Sequence, residues 1–205
     1  MNRPRCVISP KAPEALRTAV TQGGGEVVEA ADAEAVIWTD SQDAQGLETL
    51  LTTHPKIRWV QLPFAGVETF THLFDTDHLW TSGRGIYAEP VAEHALMMGL
   101  AGLRGGVRYA RETTWADPYG YNLYDGKVTI VGGGEIAREL MRLMEPFRVE
   151  VTIVRNRVQP VEGAARVVAA SDVVEAVRGA DLVVLALALT PESDQIIDAA
   201  VLDAM

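Results

Sequence analysis

Apolar positions in the first ninety residues recur as short β-branched runs separated by stretches of helical period. Cys6-Val7-Ile8 predicts a strand and Ala12 to Thr21 a helix, after which Gly23-Gly24-Gly25 turns the chain. Val27-Val28 predicts a short second strand, Ala35 to Trp38 a third, and Gly46 to Thr53 a helix. Arg58 to Leu62 reads as a strand, Val67 to Phe74 as a short helix, and Leu79 to Ser82 as a last strand. Such alternation implies a parallel sheet covered by helices. A long helix follows, with Pro90 in its first turn. Val91, Ala92, Ala95, Leu96, Met98 and Leu103 make it apolar over most of its girth. Gly99, Gly102 and Gly106 recur along it at i, i+3 and i+7. Glycine costs helix stability, so these imply close packing on one face, or else a poor, kinked helix.

Residues 113–127 are polar and tyrosine-rich, and read as the crossing between two lobes. The pattern then resumes. Val128 to Val131 is a strand, and a helix runs from Glu135 to about Met144 on an apolar stripe of Ile136, Leu140, Leu143 and Met144. Glu145-Pro146 ends it. Val149 to Val154 is the next strand, followed by Arg166 to Val168, a helix from Ser171 to Val177 with Ser171 as its cap, and a buried strand from Leu182 to Leu187.

The junction of the strand ending at Val131 with its helix carries the chemistry. It reads G-x-G-x-x-A, with Gly132, Gly134 and Ala137 in the small positions. The first serves a tight turn, the second lets backbone approach a pyrophosphate, and the third lets helix pack on strand. Free N–H groups of Glu135 and Ile136 at the helix start then favour an anion. A complete strand–helix–strand unit surrounds the loop, which makes a dinucleotide the expected ligand. Some twenty positions after Gly134, where an NAD site usually has an acid for the ribose hydroxyls, stands Arg155-Asn156-Arg157. Guanidinium groups match a 2′-phosphate, so NADP is expected in preference to NAD. The plainer alternative is a glycine turn with a solvated basic tip.

Composition narrows the partners. The 205 residues carry a net charge of −10, which disfavours nucleic acid and anionic membrane. The longest apolar runs, such as Leu182 to Leu189, are too short to span a bilayer, and the start shows no signal-peptide core. One cysteine, Cys6, allows no intrachain disulfide and fits a reducing, cytoplasmic setting. With one cysteine and no histidine pair at ligand spacing, no metal site is expected.

Four segments together resemble the D-2-hydroxyacid dehydrogenase family, in that family's order. They are Phe64 to Val67, Gly85 to His94, Gly132 to Ala137, and Ala180 to Leu187 with Leu189 to Ser193. The resemblance implies an α/β protein of two lobes with parallel sheets. Residues 1–88 would form a flavodoxin-like substrate lobe. Residues 89–205 would form an incomplete Rossmann-type NAD(P) lobe that includes the long interdomain helix and is truncated at its C-terminus. It implies a substrate-carboxylate site on the backbone of Ala65, Gly66 and Val67, a plain glycine turn being the alternative. Leu187, Thr190 and Pro191 would lie along the adenosine and ribose side of the cofactor. Arg104 matches a position often basic in the family, though an exposed helix arginine explains it as well. The resemblance further implies a homodimer through the cofactor lobe and a small 2-keto or 2-hydroxy acid as substrate.

The family's catalytic Arg, its Glu and its Pro-His pair would fall after Met205, so no catalytic residue is expected within the 205 residues, and the chain alone is expected to be inactive. Of His54, His72, His78 and His94, only His94 beside Glu93 invites a catalytic reading, and neighbours on a helix point apart. The alternative function is a non-catalytic dinucleotide-binding sensor or partner protein.

Overall fold

Short β-branched runs and the helices between them build two parallel sheets. The computed structural model describes residues 3–205, which form two compact units, the first ending at Ile86 and the second Tyr87–Met205. In the first, β1 (Arg5–Ser9), α1 (Glu14–Gln22), β2 (Glu26–Val27), β3 (Ala35–Trp38), α2 (Ala44–Thr53), β4 (Trp59–Gln61) and β5 (Leu79–Thr81) follow one another. The strand order is β2-β1-β3-β4-β5, all parallel. This is the doubly wound order of flavodoxin-like folds. Val36, Leu47, Ile57, Val60 and Phe70 are fully buried in its core. α2 begins two residues earlier than its apolar pattern, because the Asp43 side chain accepts the Gly46 N–H and caps it. The helix expected over 67–74 is a 3₁₀ helix, Glu68–Leu73, rather than an α-helix.

The second unit contains α3 (Ala88–Leu103), α4 (Gly106–Tyr109), β6 (Lys127–Val131), α5 (Glu135–Met144), β7 (Glu150–Val154), β8 (Arg166–Val168), α6 (Val173–Val177), β9 (Leu182–Leu185) and α7 (Ala199–Ala204). Its parallel sheet runs β8-β7-β6-β9. The order reverses between β6 and β9, and ligands of open α/β sheets bind beyond the carboxyl ends at such a point. Ala137, Leu140, Met141 and Met144 of α5 pack with Val128, Ile130, Val151 and Ile153 in one core. On the other face Val131 and Val154 pack with Val173, Val177 and Val201. Among the described residues no helix is long and apolar enough to cross a membrane.

Four expectations change here. The run from Leu182 leaves the sheet after Leu185, although Ala186 still donates its N–H to the Val131 carbonyl at 2.8 Å. Ser171 does not cap α6. It sits in a preceding 3₁₀ turn, Asp172 is the residue before the helix, and the Ser171 hydroxyl turns to the Asp172 carboxylate. Gly106 lies outside α3, which breaks where Gly105 takes a left-handed φ of 64°. Residues 113–127 do not pass between units but are fastened within the second. Tyr121 donates to the Leu103 carbonyl at 2.8 Å, Tyr119 packs over Gly105, and Asp125 holds Arg148 through two hydrogen bonds.

Candidate functional site

The end of β6 turns into α5 through Gly132, Gly133 and Gly134, at the reversal point of the second sheet. Gly132 has φ +117°, and a Cβ there would collide with the Ala186 carbonyl that follows β9. Its own N–H is taken by the Val154 carbonyl at 2.8 Å, so the loop is anchored to strands on both sides. Ala137 is fully buried against the sheet, where a larger side chain would push α5 outward. These two small residues serve the fold.

Gly134 serves no contact of the chain. A Cβ placed on it would meet nothing within 4 Å. No side chain caps α5 there, and the first helical bond runs from Arg138 N to the Gly134 carbonyl at 3.1 Å. The N–H groups at the start of α5 therefore have no intrahelical acceptor. An open space, uncapped donors and the positive end of a helix dipole together make a cradle for an anion. The residues present thus fit the pyrophosphate of a dinucleotide. Glu135 and Ile136 open the first turn, and Glu135 is held in an exposed pair with Arg138.

Arg155 follows β7 and is half-buried. Its Cδ would lie 3.1 Å from a Cβ on Gly133, so its side chain lies alongside the glycine loop. Its backbone N–H is bound by the Val168 carbonyl at 3.0 Å. Asn156 and Arg157 are exposed beyond it. Neither Arg155 nor Arg157 has a carboxylate at ion-pair distance among the described residues. The pattern of the glycine motif leaves Gly133 as a free position, so its contact with Arg155 was not readable from the motif.

Beyond β9, Leu187 is half-buried and packs on the core under α6, while Thr190 and Pro191 are exposed. Ser193 shapes this segment. Its hydroxyl donates to the Ala188 carbonyl at 2.8 Å and accepts the Thr190 N–H at 2.7 Å. The Glu192 carboxyl is held below its ordinary range by its own backbone N–H and by the Thr190 hydroxyl. In the first unit, Ala65, Gly66 and Val67 follow the carboxyl end of β4, with Ala65 and Gly66 exposed. The Glu68 carboxylate stands over Gly66, 2.8 Å from where a Cβ would lie. Among the described residues no group of three or more His, Cys, Asp or Glu could hold a metal ion.

A family model described as D-isomer specific 2-hydroxyacid dehydrogenase, NAD binding domain, matches residues 94–205. An uncharacterized protein in the proB 3′ region of Corynebacterium melassecola is 31% identical over 198 residues, which is 92% of this chain and 64% of that protein. A D-isomer specific 2-hydroxyacid dehydrogenase family protein from Aeromonas salmonicida has a similar fold, with a TM-score of 0.79 at 17% identity over 94% of this chain and 66% of that one. So does an NADPH-dependent glyoxylate/hydroxypyruvate reductase from Sinorhizobium meliloti, solved with NADP and sulfate. Its TM-score is 0.76 at 21% identity, over 99% of this chain and 68% of the other. The chain thus spans about two thirds of the length of these proteins.

Proposed function

Because the chain belongs to the D-isomer specific 2-hydroxyacid dehydrogenase family, we propose that its second unit holds NADP(H) in preference to NAD(H) and that the whole protein interconverts a small 2-keto acid, such as glyoxylate or hydroxypyruvate, and its D-2-hydroxy acid. The open space before Gly134 at the uncapped start of α5 carries this reading. Arg155 and Arg157 supply the charge that a 2′-phosphate needs, at the position where NAD sites present an acid. When bound, the nicotinamide supplies the hydride. The chain's own part is to fix the dinucleotide at Gly132–Ala137, with Leu187, Thr190 and Pro191 along its adenosine side. Ala65, Gly66 and Val67 hold the substrate carboxylate on backbone N–H groups. The solved relatives that reduce glyoxylate and hydroxypyruvate favour that substrate class.

The 205 residues bind cofactor without turning over. None of the four histidines follows a proline, and His94, the one in the second unit, is exposed on α3. The experiment adds NADPH and then glyoxylate or hydroxypyruvate to the purified chain. Cofactor fluorescence changes on binding and then stays constant; steady NADPH consumption at an enzymatic rate would show the reading of these residues to be wrong.

The protein forms a homodimer through this unit. Val91, Met98 and Gly102 share one face of α3, with Val91 41% and Met98 59% exposed and open space beyond Gly102. Light scattering is expected to give about twice the chain mass of 22.2 kDa. A monomer at tens of micromolar would contradict it.

A further inference from the structure

The two faces of the second sheet differ in kind. Side chains alternate across a strand. Val128, Ile130, Val151 and Ile153 therefore share the face buried under α5. The register arranges the other face in rows. Val131, Val154 and Val168 form the row at the carboxyl end, and Thr129, Thr152 and Arg166 the row behind it. Lys127 and Glu150 stand opposite each other at the amino end. The valine row packs under α6 and α7. α6 has five residues, about 7.5 Å of helix, too short to roof the whole face. A cavity of about 180 Å³ opens over the polar rows, closed on its other side by Glu175, Ala176 and Arg178.

The groups around this cavity are unequally satisfied. The Thr129 hydroxyl donates to the Ala176 carbonyl at 2.6 Å, and Arg178 donates to Glu175 at 2.9 Å. Thr152 is 9% exposed and lines the cavity, where its hydroxyl makes no hydrogen bond to another described residue. Lys127 and Arg166 have no carboxylate at ion-pair distance among the described residues, even though Glu150 stands across from Lys127. The Arg166 guanidinium, exposed and unpaired beside the Thr152 hydroxyl, presents a fork that matches two oxygens of an oxyanion. The larger groove beside α5 offers less, because its arginines, Arg138, Arg142 and Arg148, are already bound to Glu135, Glu139 and Asp125.

We propose that the cavity at the amino ends of β6, β7 and β8 binds a small oxyanion, gripped by the Arg166 guanidinium and the Thr152 hydroxyl with Lys127 adding charge. The glycine loop lies at the opposite end of β6, so both sites can be filled together. The test follows backbone amide shifts of the 205-residue chain by NMR during titration with inorganic phosphate, and separately with acetate, at constant ionic strength. Saturable shifts are expected at Thr152, Arg166 and Ala176–Arg178. Arg166→Ala and the near-isosteric Thr152→Val should each weaken binding there by about tenfold or more, while shifts at Gly133–Ala137 stay as in the parent chain. Saturation by phosphate alone assigns a phosphate-bearing ligand; saturation by both admits a carboxylate. Shifts confined to the glycine loop, or equal affinity in either folded variant, would overturn the proposal.

Discussion

Gly132 and Gly134 lie two positions apart and are constrained by opposite things. Gly132 is held by the protein, through a left-handed φ and the Ala186 carbonyl at its back. Gly134 faces open space. Gly132→Ala is therefore expected to cost well over about 1 kcal/mol in denaturant unfolding, because alanine pays for positive φ as well as the clash. Gly134→Ser should leave stability unchanged or raise it, since serine is a good N-cap. Its hydroxyl would take up the donors of the first turn, and its Cβ would fill the cradle, so dinucleotide affinity should fall by about tenfold or more, roughly 1.4 kcal/mol. A loss of stability in Gly134→Ser equal to that in Gly132→Ala would refute the distinction. At this scale the spacing of small residues was legible because each serves a separate need, a positive φ at Gly132, open space at Gly134 and close helix packing at Ala137. The approach of Arg155 to Gly133 was not, because it depends on how β7 delivers a side chain across the loop.

The glycines of α3 separate in the same way. A Cβ on Gly99 would come 2.8 Å from the Leu182 side chain, so close packing against β9 holds there. Gly102 has nothing within 4 Å, and Gly106 belongs to α4. Gly102→Ala is expected to raise unfolding stability by about 0.5 to 1 kcal/mol, and Gly99→Val to lower it, as measured by urea denaturation. The sequence period placed all three on one face and could not tell a packed position from an open one. Elements set by side-chain bonds were likewise hard to read. Asp43 starts α2 early, and Ser171 turns to Asp172 instead of capping α6. The turn before β5 is a third example. Partial burial pushes the Asp75 carboxyl up, but the His78 ring, the His78 backbone N–H and the Trp80 indole together bring it below the ordinary value of 3.8. A carboxyl lowered in the folded state adds stability above its unfolded value and loses it as pH falls through the folded one. Asp75→Asn should thus be less stable than the parent at pH 7, with the gap closing as pH falls through the lowered folded value. A gap that persists in acid would contradict this.

The architecture of the whole molecule was largely legible, because alternating β-branched runs and helical stripes leave few options beyond parallel sheets. The strand orders are not fixed by that alternation, since right-handed crossovers allow more than one doubly wound order, and they emerge only in the structure. The role of 113–127 was misread because tyrosines and polar residues resemble a linker, whereas here they fasten the end of α3 and, through Asp125 and Arg148, the end of α5. The family's glycine loop, the open cradle and the basic tip converge on one claim, that these residues hold a phosphorylated dinucleotide. Calorimetric titration of the chain with NADPH and with NADH, repeated on Arg155→Ala, tests it most directly. Saturable binding at one site per chain is predicted, tighter for NADPH, with that preference reduced about tenfold in Arg155→Ala. Absence of binding, or tighter binding of NADH by the parent chain, would contradict it.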